Sequence, residues 1–131
     1  MTDPFLPLGE ALRGNLDATL NLLRAVRGRC RVLVARSPHE ALPASPYAAS
    51  KAAAWAFCGM FGRSEGWPIA GVMPFQVYGP GLSPRSVLGG ALRAAQAGED
   101  YPMTGGEQKR DWIDVDDVAA GIAAAAAAPG I

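Results

Sequence analysis

The sequence predicts an α/β chain built on a parallel sheet with flanking helices. Three observations carry that expectation. Long helical patterns alternate with short apolar runs in the order helix, strand, helix, strand, helix. The runs at 31–35 and 69–73 are brief and rich in valine, leucine and isoleucine. Glycine stands where each long helix should stop, at Gly28, Gly66 and Gly98.

Leu8, Leu12, Leu16, Leu20 and Leu23 recur at helical spacing, with Arg13, Asp17 and Arg24 off that line, so the first helix covers 8–27. A buried strand follows at 31–35, then a proline-punctuated connector to Ser45. Pro46 suits the first position of a second helix over 46–63, which ends near Gly66. The strand at 69–73 is broken by Pro74, and Tyr78-Gly79-Pro80-Gly81 reads as a turn. A third helix is expected over 84–97 and a short strand over 101–104. Asp114 caps the last helix, with Asp116 and Asp117 in its first turn favouring the helix dipole. Only two strands are convincing, fewer than a parallel sheet normally has.

The 131 residues make one domain, 1–131, and half of them are hydrophobic, enough for a core. Twelve basic residues balance twelve acidic ones, leaving no electrostatic footprint for nucleic acid or an anionic membrane. No run reaches membrane-spanning length, and Met1 to Glu10 show no leader pattern, so a cytoplasmic location is expected. Cys30 and Cys58 are read as reduced, mostly buried thiols. His39, the single histidine, reads as a polar loop residue, and no metal centre is expected.

The chemistry concentrates in Ser45-Pro46-Tyr47-Ala48-Ala49-Ser50-Lys51. A helix opened by Pro46 puts Tyr47 and Lys51 on one face, one turn apart. An ammonium beside a phenol favours the phenolate, which suits proton transfer to or from a substrate hydroxyl or carbonyl. Around the pair stand Asn15-Leu16-Asp17-Ala18-Thr19-Leu20-Asn21-Leu22-Leu23, Pro74-Phe75-Gln76-Val77-Tyr78-Gly79-Pro80-Gly81 and Arg110-Asp111-Trp112-Ile113-Asp114-Val115-Asp116-Asp117-Val118.

In this order the four segments resemble the later part of the extended short-chain dehydrogenase/reductase family, the NAD-dependent epimerases and dehydratases of nucleotide sugars. The resemblance implies a partial Rossmann-like parallel sheet with flanking helices, lacking the N-terminal Gly-rich βαβ unit. It implies NAD or NADP as cofactor, with the adenosine-side site absent, and a nucleotide sugar as substrate. Tyr47 would be the acid/base, Lys51 would hold the nicotinamide ribose, and Ser37 is the nearest hydroxyl for the family's Ser/Thr. Pro74 and Val77 would border the nicotinamide. Asn15, Gln76 and Arg110 would face the substrate, the last as a guanidinium matched to a diphosphate. Ala18, Met73 and Gln76 depart from the family's usual glycine, arginine and asparagine. The missing Asp-Glu pair disfavours dehydration. A homodimer through helices 8–27 and 46–63 is also implied. Two functional readings follow: an NAD(P)-dependent epimerase or reductase, or a shortened non-catalytic relative or fragment of a longer enzyme.

Overall fold

The computed structural model describes residues 8–129; residues 1–7, part of the stretch read as free of a leader pattern, and 130–131 lie outside it. The first helix, α1, is continuous over 8–26 but not uniform. Leu8–Ala11 and Ala18–Val26 are α-helical, while Leu12–Asp17 is wound as a wider π-helix. The Ala18 N–H reaches back to the carbonyl of Arg13, the five-residue bond that defines the wider turn. The helix reverses at Arg27 (φ 47°) and Gly28 (φ 69°), one residue earlier than the glycine alone suggests. At Gly28 a side chain has no room, since a Cβ would come within 2.6 Å of Trp67. Trp67 in turn stacks on Phe61 at 4.6 Å.

Strand β1, Val32–Ala35, pairs in parallel with β2, Ile69–Val72, from Val32↔Ile69 to Ala35↔Val72. Between them runs α2, Pro46–Glu65, the crossover that a parallel pair requires. Ser45 caps it by accepting the Ala48 N–H at 3.2 Å, and Gly66 (φ 66°) closes it. A second parallel pair joins β3, Gln76–Tyr78, to β4, Trp112–Asp114. Helix α3, Val87–Ala97, lies between these strands, and α4, Val115–Ala127, follows β4 directly.

Four expectations are corrected here. The described residues hold four strands in two pairs, because three-residue strands are too short to show an alternation in sequence. Tyr78 belongs to β3, so the turn narrows to Gly79–Gly81; the segment 101–104, expected as a strand, is irregular and exposed. Helix α3 begins at Val87 rather than Pro84, because Ser86 takes the capping role and accepts the Gly89 N–H at 3.0 Å. The last helix starts as expected, with the Asp114 carboxylate accepting the Asp116 N–H at 2.8 Å.

Leu23, Val32 and Cys58 form the buried centre, flanked by Trp55, Phe61, Trp67 and Ile69. The core therefore sits where α1 and α2 meet β1 and β2. Arg31 ties the far end of α4 to this layer by donating to the Ala126 carbonyl at 2.6 Å, satisfying a helix-terminal acceptor. The two thiols are not alike: Cys58 is buried, whereas Cys30, in the turn before β1, is exposed. Burial pushes the Cys58 thiol above its ordinary 9.0. No described helix is long and apolar enough to cross a membrane.

Truncating Leu23 to Ala should cost about 2–5 kcal/mol in a urea titration, as expected for a large-to-small change in a filled core. With a thiol reagent under native conditions, Cys30 should react promptly and Cys58 only as the chain opens. The unfolded chain releases the Cys58 proton before the folded one does. This thiol therefore leaves stability unchanged below its ordinary 9.0 and lowers it as pH rises beyond that value, a fall that Cys58→Ala should remove.

Candidate active site

Helix α2 opens at Pro46, so Tyr47 and Lys51 lie one turn apart near its N-terminal end, both half-buried. The Lys51 Nζ donates to the carbonyl of Ala35 at 2.9 Å. Ala35 ends β1, so the ammonium sits at the carboxyl end of a parallel strand, where α/β folds bind their ligands. An ammonium has three donors, and this bond uses one.

Asn15 belongs to the π-helical turn of α1 and reaches the same neighbourhood. Its side-chain amide donates to Ser50 Oγ at 2.9 Å, and Ser50 Oγ donates to the Tyr47 carbonyl at 2.9 Å. Ser50 is 1% exposed and is the link that sequence reasoning missed. Its position three residues after Tyr47 was the available signal, because a helical serine can bond back to a carbonyl one turn earlier. These contacts tie Asn15 of α1 to the first turn of α2 through Ser50, and Lys51 of the same helix to the end of β1.

Ser37 is placed differently. It is buried, and its hydroxyl accepts the His39 N–H at 3.3 Å as the cap of a short 3-10 turn, Pro38–Ala41. Glu40 completes a capping box, with its carboxylate accepting the Ser37 N–H at 2.7 Å. The spacing Ser37-Pro38-His39-Glu40 carries the sequence signature of that box. Glu40 also accepts from Arg36 Nε and Nη2, each at 2.9 Å.

The remaining candidates stand around β3 and β4. Pro74 is half-buried in the link between β2 and β3, and Val77 is half-buried in β3. Gln76 and Arg110 are exposed, and the Arg110 guanidinium donates to the neighbouring Lys109 carbonyl at 3.1 Å. A concavity of about 230 Å³ is lined by Val77, Tyr78, Gly79–Ser83 and Val115. A second, of about 350 Å³, lies between Pro84, Gly90, Arg93 and Tyr101. Neither is lined by Tyr47, Lys51, Asn15 or Ser37. Among the described residues no group of three metal-ligating side chains converges.

A nicotinamide cofactor can be tested against these residues. The ribose end has a matching group: the Lys51 ammonium, with spare donors, sits at the carboxyl end of β1, on the helix that carries Tyr47 one turn earlier. The pyrophosphate end is not matched, because it needs glycine N–H groups opening directly into a helix. Gly79 and Gly81 follow β3, but α3 starts only behind Ser86.

Parallel strand pairs crossed by helices define an α/β protein of the Rossmann-like kind. The chain belongs to the NAD dependent epimerase/dehydratase family, whose model matches residues 8–130. It is similar to GDP-6-deoxy-D-mannose reductase of Pseudomonas aeruginosa, at 33% identity over 88% of this chain and 46% of the reductase. It is also similar in structure to UDP-N-acetylglucosamine 4-epimerase of Methanobrevibacter ruminantium, solved with UDP-N-acetylmuramic acid. There the identity is 27% and the TM-score 0.86, over 99% of this chain and 50% of that one. MoeE5, solved with UDP-glucuronic acid and NAD, matches at 29% identity and a TM-score of 0.79, over 96% of this chain and 48% of its own. The chain thus spans about half the length of these relatives.

Ser50→Ala should cost about 1–2 kcal/mol in a denaturant titration, because it leaves the Asn15 amide without its partner at a half-buried position.

Proposed function

We propose that this chain carries the acid–base and sugar-facing half of a nicotinamide-dependent nucleotide-sugar epimerase or reductase. The observation that supports the reading most directly is the Lys51–Ala35 bond, which holds the ammonium at the end of β1 on the helix that bears Tyr47. In this reading the Tyr47 hydroxyl passes a proton to or from a sugar oxygen. The Lys51 ammonium keeps one donor on Ala35 and turns the others toward the cofactor ribose, and toward the charge that develops on the phenol oxygen. A bound NAD or NADP would supply hydride exchange. Pro74 and Val77 would border its nicotinamide.

Asn15, Gln76 and Arg110 would meet the nucleotide sugar, Asn15 from its π-helical turn and Arg110 by presenting its fork to a diphosphate. Ser37, already engaged as a cap, would contribute its hydroxyl from the edge of the site. The leucine and phenylalanine side chains left exposed on α1 and α2, such as Leu22 and Phe57, support a homodimer through these two helices. The activity is assigned to a soluble, cytoplasmic protein.

One observation favours a second reading, a shortened relative that binds or assembles without turnover. Tyr47 and Lys51 line neither concavity.

Ligand-detected NMR with NAD, UDP-glucose and GDP-mannose tests the acid–base reading, and turnover separates it from the second. The acid–base reading expects weak, millimolar contacts through the nicotinamide ribose and the sugar, both lost in Lys51→Ala. Dinucleotide binding that survives Lys51→Ala would place the nucleotide elsewhere and overturn the reading. Wherever turnover of a nucleotide sugar is measured, Tyr47→Phe should abolish it and leave the melting temperature nearly unchanged.

A further inference from the structure

Arg36 is the first residue after β1, and its side chain is held by two partners. Its guanidinium carbon lies 4.3 Å from the centre of the Trp55 ring. Its Nε and Nη2 both meet the same carboxylate oxygen of Glu40 at 2.9 Å. The Glu40 side chain is 4% exposed, and its other oxygen accepts the Ser37 N–H, so this buried carboxylate is fully engaged. The Arg36 backbone N–H closes the β1–β2 ladder on the Val72 carbonyl at 2.7 Å.

Trp55 stands one turn beyond Lys51 and two beyond Tyr47, so the three share a face of α2. Room for the stack comes from β2. At Gly71 a Cβ would fall 2.5 Å from Arg36 Cδ and 2.9 Å from the Trp55 ring. A strand interior gains nothing from glycine unless another group approaches closely, which is the case here.

We propose that Arg36, Glu40, Trp55 and Gly71 form a clamp that positions Lys51. The guanidinium joins the end of β1 to the α2 face that carries the lysine. It thereby sets the separation between the Ala35 carbonyl and Nζ, two atoms belonging to elements that are otherwise far apart in sequence. These four residues touch no reacting group and act through Lys51. The inference rests on the reading of Lys51 as the amine of the acid–base pair.

The chain has two lysines, Lys51 and Lys109, and the exposed Lys109 serves as an internal reference. Limited acetylation with an activated ester, quantified by mass spectrometry, gives the ratio of their reactivities. In the unaltered chain Lys51 should label several-fold more slowly than Lys109. Trp55→Leu and Glu40→Gln should each raise Lys51 labelling several-fold with Lys109 unchanged, while Trp55→Phe, which keeps a π face, should preserve the protection. Circular dichroism confines the comparison to variants with native helix content. If Trp55→Leu loses that content, the contrast between Trp55→Phe and Glu40→Gln decides. Lys51 labelling that stays at its original rate in the folded variants, or rises only in step with Lys109, overturns the clamp. The labelling needs neither dinucleotide nor sugar. Its outcome is therefore separate from that of the binding comparison on Lys51→Ala, which tests the acid–base reading itself.

Discussion

A long, flexible side chain has a defined place only when something holds its end, and here the carbonyl of Ala35 does so for Lys51. The backbone of β1 explains why that carbonyl is free. Val32 and Arg36 both donate toward β2, to Pro68 and Val72. Successive residues of a strand point their backbone groups to opposite edges, so those of Leu33 and Ala35 face away from β2. An ammonium that satisfies the last of these acceptors gives up part of about 2 kcal/mol of side-chain rotamer freedom. In exchange its charge is placed by the sheet rather than by its own torsions. Tyr47, one turn earlier on the same helix, shares that frame.

The surrounding structure serves the same junction. The π-helical turn of α1 presents Asn15 toward α2, where Ser50 receives it. Wider helical turns of this kind occur frequently at functional sites, because the extra residue re-aims side chains that a regular helix would send elsewhere. The 3-10 turn after β1 is closed by its own capping box, so the connector into α2 is held by backbone-directed bonds. Site and scaffold are therefore hard to separate in this region: the residues that end β1 also set the start of α2.

The second half of the chain is organised differently. The β3–β4 pair brings the segment around Gln76 beside the segment around Asp114, and the shallow concavity after β3 is shaped by the turn at Gly79 and Gly81. At Gly79 (φ 154°) a Cβ would overlap Val115, so the close approach of the turn to α4 excludes any other residue. Relatives of about twice this length share this arrangement, as the TM-score of 0.86 over half of one of them shows.

Much of this was legible from local chemistry. Pro46 after Ser45, Gly66 and Gly98 at helix ends, and Asp114 before Val115 each answer a terminal backbone need within a few residues, and each stands where expected. The Tyr47–Lys51 spacing and the family resemblance were equally plain, because they too lie along the chain. What the sequence could not show depends on contacts between distant segments. Three-residue strands acquire their identity only from a partner, as Gln76–Tyr78 does from Trp112–Asp114. Cys30 and Cys58 look alike in sequence and differ only in what packs over them. The partner of the Lys51 ammonium and the Ser50 bridge to Asn15 were decided by tertiary packing alone. Residues 16 and 35 apart in the chain meet there, and no local propensity encodes which one meets which.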